Sequence, residues 1–219
     1  MSQGKSKKNY LVPEPALRRM PCYLAYLKLA RKEGLKHISS TLIARDMGVD
    51  PTQVTKDLSY TSIVGKTRVG YEVEPLIDEL ESFLGFTVVD EAYLFGVGSL
   101  GRALLHDHGL KQFGLKVVAA FDVNPDVVGR KIGGVPIYHF DEFKNMSNSG
   151  VQIGILTVPV DKSQYVASSM IEGGIKAIWN FTPVRIKVDD DVVVQNTSLY
   201  AHLAVMFNRL KSNNAKMLK

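Results

Sequence analysis

The sequence holds a single cysteine, Cys22, among 219 residues. That excludes an internal disulfide framework and fits a reducing, cytoplasmic setting. Cys22 falls in an apolar helical pattern and reads as a buried structural thiol rather than a redox sensor. No apolar run approaches the ~20 residues that a membrane helix needs, so no membrane partner is expected. Metal-ligand spacing is lacking as well. There is no Cys/His set at zinc spacing, and His106 and His108 stand two apart in a helical stretch, so they do not share a face. No nucleophile stands with a matched base, so no catalytic residue is assigned. The opening MSQGKSKKNY is basic but lacks a following apolar core, and reads as a tail rather than a secretory signal. Asp189-Asp190-Asp191 reads as a solvated turn.

Charge is unevenly divided. Residues 1–70 carry 13 Lys/Arg against 5 Asp/Glu, a net of +8, and residues 71–219 carry 14 against 17, a net of −3; together these give +5. A basic first third joined to a mildly acidic remainder suggests that only the first part meets a polyanion.

The chain is organised around Glu91 to Asp122. A short apolar run, Ala92 to Phe95, enters Gly96-Val97-Gly98-Ser99-Leu100-Gly101; a helical pattern follows, then a second apolar run from Leu115 to Phe121 that ends in Asp122. Strand, glycine turn, helix, strand and acid each have a task in holding a dinucleotide. Gly96 permits the tight turn, Gly98 lets the backbone approach a pyrophosphate, and Gly101 lets helix and strand pack closely. The helix start near Ser99 offers unpaired N–H groups and the positive end of its dipole. Asp122 lies 21 residues beyond Gly101, placed to accept from a ribose diol and to repel a 2′-phosphate, which favours NAD(H) over NADP(H). The alternative at this point is a glycine turn that holds nothing.

In the first third, Leu17, Met20, Leu24, Leu27 and Ala30 recur at helical spacing until Gly34. A second short helix is expected from about Ser40 to Met47, then a tight turn at Gly48-Val49-Asp50. A third helix starts at Pro51, with Asp50 as its cap, and runs to about Tyr60. These lengths spell a helix-turn-helix, with Leu42, Ile43, Met47, Val49, Val54 and Leu58 facing its core. Thr52, Gln53, Thr55, Lys56 and Ser59 form the polar face of the third helix, groups suited to base edges and phosphates. Ile63 to Tyr71 reads as a hairpin wing around a basic turn, with Lys66 and Arg68 placed for DNA. Arg18, Ser39 and Tyr60 complete the candidate DNA-facing set. The alternative is a packing module that meets no nucleic acid.

Val73 to Phe86 reads as a linking helix closed by Gly85, which sets domains of 1–85, 86–197 and 198–219. Beyond Asp122 and Val123, the glycine-rich stretch Val127 to Val135 is expected to be a loop. Ile137-Tyr138, Val151 to Val158, Ile175 to Trp179 and Val192 to Gln195 read as strands, with a helix over Lys162 to Glu172. This alternation predicts an α/β fold, a doubly wound parallel sheet behind a winged helix-turn-helix. Thr157, Val158, Pro159, Asn180, Phe181 and Thr182 then occupy carboxyl ends of strands, beside the glycine turn. From Ser198, the residues Leu199, Leu203, Met206, Phe207 and Leu210 make one apolar stripe on a last helix, expected to pack on a second subunit.

The two halves together resemble the Rex redox-sensing transcriptional repressors of bacteria. The resemblance runs from Val12 to about Leu210, through VPEPALRRMPCYLAYL, VDPTQVTKDLSY, VGYEVEPLIDEL, GVGSLGRALL, AAFDVNPDVVGRKIGGVPIY, ILTVPV and IWNFTPV. It implies a homodimer with its final helix exchanged between subunits, a Rossmann domain for which NADH and NAD compete, and release from an inverted-repeat operator when NADH binds. By motif position it puts Gln53 and Lys56 on the recognition helix, Lys66 and Arg68 on the wing, and the cofactor at the glycines, Asp122 and the Thr157 and Asn180 regions. The chain departs from the family pattern at Thr55, Ser99, Asp107 and Ser198. Two readings from other classes stay open at this stage. One is a small NAD-dependent oxidoreductase with an N-terminal interaction module, against which the missing catalytic pair argues. The other is a DNA-binding sensor of a different nucleotide.

Overall fold

The computed structural model describes residues 12–146 and 149–217, and the basic opening segment read as a tail lies outside them. The chain divides into two compact units between Val88 and Val89.

The first unit is helical. Helix α1 (Glu14–Lys32) turns Ala16, Met20, Tyr23, Leu24, Leu27 and Ala30 inward. Cys22 is exposed, which corrects the expectation of a buried thiol. The reason is helical phase: at 100° per residue Cys22 falls on the side opposite the Met20–Leu24–Leu27 stripe. Strand β1 (His37–Ile38) leads into α2 (Ser40–Met47), capped by Ser39, whose Oγ accepts from the Leu42 amide at 3.1 Å. Helix α3 (Pro51–Leu58) is capped by Asp50, which accepts from the Thr52 amide at 2.7 Å. Ile43, Val54 and Leu58 are fully buried, with Leu42, Met47 and Val49 packed against them. The next strand, β2 (Tyr71–Glu72), pairs antiparallel with β1 and leads into α4 (Val73–Phe83). The wing is therefore smaller than expected. Its second run pairs with β1, and its tip, Lys66 to Gly70, is closed by one isolated bridge.

The second unit is built on a seven-stranded sheet. Its strands are β3 (Asp90–Phe95), β4 (Leu115–Asp122), β5 (Lys131–Ile132), β6 (Val135–His139), β7 (Ile153–Leu156), β8 (Ala177–Asn180) and β9 (Val193–Asn196), in spatial order β5-β6-β4-β3-β7-β8-β9. Every pair is parallel except β5–β6. Helix α5 (Ser99–His106) and the one-turn α6 (Gly109–Gln112) join β3 to β4, and α7 (Val160–Glu172) joins β7 to β8. Tyr93, Phe95, Phe121 and Phe143 form an aromatic core on one face of the sheet, Phe95 stacking on Phe121 at 5.2 Å. Ala92, Leu94, Leu105, Ala120 and Ile155 fill the other.

The stretch Val127 to Val135 is not the loop expected. Lys131–Ile132 pair with Val135 and Pro136 across a two-residue hairpin turn, because Gly133 and Gly134 take φ of +57° and +82°. Two successive left-handed glycines are what such a tight turn requires. The last helix, α8 (Leu199–Met217), leaves Leu199, Leu203, Met206, Phe207 and Leu210 between 41% and 58% exposed.

Candidate functional site

The strand order of the second unit reverses between β3 and β7. In open parallel sheets the crevice outside the carboxyl ends at such a reversal is where ligands sit. Here Gly96 follows β3 and Thr157 follows β7, and the two touch: Thr157 Oγ1 donates to the Gly96 carbonyl at 2.7 Å and to that of Phe95 at 3.0 Å. Gly96 has φ of +96°, and a Cβ there would meet the Thr157 carbonyl oxygen at 2.8 Å. A Cβ on Gly101 would lie 2.1 Å from the Gly96 carbonyl oxygen. Both glycines are thus fixed by the protein's own packing. Gly98 is different. Its φ is −72°, and nothing lies within 4 Å of where its Cβ would be. Neither backbone strain nor packing demands glycine at that exposed position, whereas a group brought against the start of α5 from outside would.

Asp122 ends β4 beside this turn. Its Oδ2 accepts from the Val97 amide and its Oδ1 from the Asn124 amide at 2.8 Å. Each carboxylate oxygen keeps a further lone pair for a hydroxyl donor. A cavity of about 290 Å³ opens next to it, lined by Gly96, Asp122, Val123, Phe140, Val158, Pro159 and Tyr165 among others. Its lining is mostly apolar, as a base pocket is. The turn, the acid and the cavity fit a dinucleotide. Gly96 to Gly101, Asp122, Val123, Thr157, Val158 and Pro159 therefore come together at one crevice. Sequence reasoning missed Phe140, Lys162 and Tyr165 on its far wall; they stand on the connection after β6 and on α7, with no motif spacing to mark them.

Asn180, Phe181 and Thr182 sit one strand further along. The fully buried Asn180 spends its amide locally: its Nδ2 donates to the Val184 carbonyl and to Asn196 Oδ1, each at 2.8 Å, and its Oδ1 accepts from the Thr182 amide and hydroxyl. Thr182 is buried in the same knot. These two shape the loop, and Phe181, half-buried with its ring 4.6 Å from that of Trp179, is the side chain left at its surface.

In the first unit, the exposed face of α3 carries Thr52, Thr55, Lys56 and Ser59. Thr55 Oγ1 donates to the Pro51 carbonyl at 3.1 Å and Ser59 Oγ to that of Lys56 at 2.6 Å, so each hydroxyl spends its proton on the helix backbone and keeps acceptor lone pairs. Lys56 meets no carboxylate among the described residues. Tyr60 is half-buried against the core, and Ser39 serves as the α2 cap. Arg18 pairs on the surface with Glu14 at 2.6 Å. Lys66 pairs with Glu72, and holds that carboxyl below its ordinary pKa. Arg68 stands at the wing tip with φ of +63°, the one non-glycine residue in the left-handed region among those described.

Beneath this face lies a buried carboxylate. Asp57, on the inner side of α3, accepts from Arg19 Nε at 2.7 Å, Arg19 Nη2 at 2.8 Å, the Tyr23 hydroxyl at 2.8 Å and Gln53 Nε2 at 2.7 Å. Burial pushes its pKa up, but the bonds from Arg19, Tyr23 and Gln53 outweigh that, and the net shift is downward. Burial, and then the bond to Asp57, push the Tyr23 hydroxyl up to about 12. The bond to Asp57, ahead of the opposing burial, raises Arg19. The pattern of α3 assigned Gln53 to the exposed face; the structure places it half-buried at that face's edge, tied to Asp57.

Among the described residues no helix is long and apolar enough to cross a membrane, and no group of three or more His, Cys, Asp or Glu side chains is placed to hold a metal ion.

Residues 89–184 match a family described as CoA binding domain, and residues 11–59 match one described as putative DNA-binding protein N-terminus. The chain is 60% identical over 206 residues to the redox-sensing transcriptional repressor Rex of Bacteroides thetaiotaomicron, covering 94% of each chain. Among solved structures it resembles a repressor, RSP, in complex with NAD+ and operator DNA, with a TM-score of 0.87 and 33% identity over 95% of this chain and 97% of that one. The same repressor bound to NADH gives a TM-score of 0.85 at 33% identity, over 96% of this chain and 100% of that one.

Proposed function

The chain belongs to the Rex family of redox-sensing transcriptional repressors, and we propose that it is a cytoplasmic homodimer that holds an inverted-repeat operator and leaves it when NADH binds. The observation that supports this most is the crevice at β3 and β7. There Gly98, held to glycine by neither backbone strain nor packing, stands beside Asp122 and an apolar cavity in a chain whose other unit exposes Lys56 on α3.

The α5 N-terminus and the Gly96–Gly101 turn direct amides at a pyrophosphate. Asp122 accepts from a ribose diol and disfavours a 2′-phosphate, which selects NADH and NAD. Val123, Val158, Pro159, Phe140 and Tyr165 exclude water around an adenine. A bound dinucleotide supplies a nicotinamide ring that is cationic when oxidised and neutral when reduced. Apolar surroundings near Phe181 and Trp179 prefer the neutral form, because burying an unpaired charge costs free energy. NADH shifts the dimer only as far as it binds the released state more tightly than the operator-bound one. A hundredfold loss of operator affinity needs a differential of about 2.7 kcal/mol.

At the operator, Lys56, Arg68 and Lys66 neutralise phosphates, and the Lys66–Glu72 surface pair costs little to exchange for one. A helix-turn-helix dimer reads half-sites spaced by about one helical turn or a multiple. The exposed stripe of α8 is the surface a second copy would cover. Nuclease footprinting of the protein on an inverted-repeat duplex tests the proposal. Two protected half-sites in register, both lost on adding NADH, are expected; a continuous footprint insensitive to NADH would contradict it.

A further inference from the structure

Asp57 does more than close a polar gap between α1 and α3. Its side chain is 1% exposed and takes four hydrogen bonds, three of them from Arg19 and Tyr23 on α1. The fourth comes from Gln53, one turn earlier on α3. An ionised carboxylate only accepts, so the Gln53 amide must turn its NH2 group to Asp57 and its carbonyl oxygen away. This orientation follows from chemistry and not from an arbitrary placement of nitrogen and oxygen. Gln53 stands at the edge of the exposed face of α3, near Thr52 and Lys56. Among the described residues no donor is bonded to its Oε1.

We propose that Asp57 is a positioning residue for operator recognition, locking the Gln53 amide so that α3 offers an outward carbonyl oxygen, with the remaining N–H beside it, to an adenine edge. This rests on the repressor reading above. An amide free to flip offers a donor or an acceptor in either order. A locked one offers Oε1 to the adenine N6 amino group and N–H to N7, the pairing by which glutamine reads adenine. An outward carbonyl also faces phosphate oxygens badly, since both only accept. That assigns Gln53 to a base edge and leaves phosphates to Lys56. Arg19 and Tyr23 keep the carboxylate charged and fixed, so the lock does not depend on α3 alone.

The test uses the full-length protein and a library of inverted-repeat duplexes with randomised half-sites, sequenced after binding, with wild type, Gln53→Met and Asp57→Asn compared. Wild type should prefer adenine at one pair per half-site by about fivefold or more. Both variants should lose that preference at the same pair, keep the others, and keep the salt dependence of binding. The carboxamide introduced by Asp57→Asn both donates and accepts, so it cannot hold the Gln53 amide one way. The proposal is overturned if Gln53→Met retains every preference, or if Asp57→Asn keeps the one that Gln53→Met loses. A wild type that selects no sequence overturns the repressor reading as well, so the two failures differ. Should Asp57→Asn not fold, the side-chain amide resonances of Gln53 in the wild type decide. One of its two protons should stay fixed on operator binding while the other shifts. Two protons that average or move together would overturn the lock.

Discussion

Replacing Gly98 by alanine separates the cofactor site from the fold that carries it. The backbone there is extended, with φ of −72° and ψ of −163°, and an added Cβ meets nothing within 4 Å. Alanine is a poorer helix cap than glycine by up to ~1 kcal/mol, while its stiffer unfolded chain returns about 0.4–1 kcal/mol, so stability should change by no more than about 1 kcal/mol in either direction. A pyrophosphate brought against α5 has no such room. Losing one amide bond to a charged phosphate costs about 1.5–3 kcal/mol, a roughly 10- to 150-fold weaker Kd for NADH. Gly101→Ala is the control. Its Cβ lies 2.1 Å from the Gly96 carbonyl oxygen, so backbone must move. A cost of roughly 3 kcal/mol should lower the Tm of the second unit by on the order of 10 °C. Circular dichroism melts without ligand, paired with titration of NADH fluorescence, read both effects. Wild-type NADH affinity in Gly98→Ala would refute the assignment of this turn to phosphate.

Other changes should divide along the same lines. Asp122→Ala should weaken NADH and NAD by about tenfold or more and leave operator affinity in their absence unchanged, since the carboxylate serves only the crevice; calorimetry and gel shifts check the two halves. Lys56→Ala should lower operator affinity and reduce the slope of log K against log salt by about one, with NADH binding unaltered. Arg68→Gly should keep or raise stability, by up to about 1 kcal/mol, because glycine relieves the positive φ, while anisotropy shows weaker operator binding. Tyr23 keeps its proton in the fold to about pH 12 but loses it near pH 10 when unfolded. Its contribution is therefore intact below pH 10 and lost as pH rises towards 12, an amount of about 2–3 kcal/mol that Tyr23→Phe should abolish in alkaline melts. Asp57, lowered in the fold, contributes fully above its unfolded value near 4, and that contribution falls away as pH drops through its folded value.

The parts of this protein that obey a local rule were readable in its sequence. Asp50 before Pro51, the glycine turn between two apolar runs, and the acid at the end of the second run each announce themselves within a few residues. So does the α/β alternation that builds the sheet. What was hidden depends on contacts distant in sequence. Gln53 read as a free polar side chain because the pattern of α3 says nothing of Tyr23 and Arg19, 34 and 38 residues before Asp57. The position of Asn180 at a strand end is visible in the sequence, while the bonds of its side-chain amide to Asn196 and Val184 are not. The exposure of Cys22 follows from its helical phase, which its apolar neighbours mask. Gly133-Gly134 fits both a loop and a hairpin, since paired glycines between apolar residues signal either, and the pairing of the flanking residues decides for the hairpin.

On the proposed reading, one chain couples the redox state of a nicotinamide to its grip on DNA. Fluorescence anisotropy on a labelled inverted-repeat operator, at fixed salt, with NADH, NAD or NADPH added, decides whether it does. Release by NADH at concentrations where NAD and NADPH leave the complex intact is the predicted result. Tight operator binding that ignores all three would contradict the coupling.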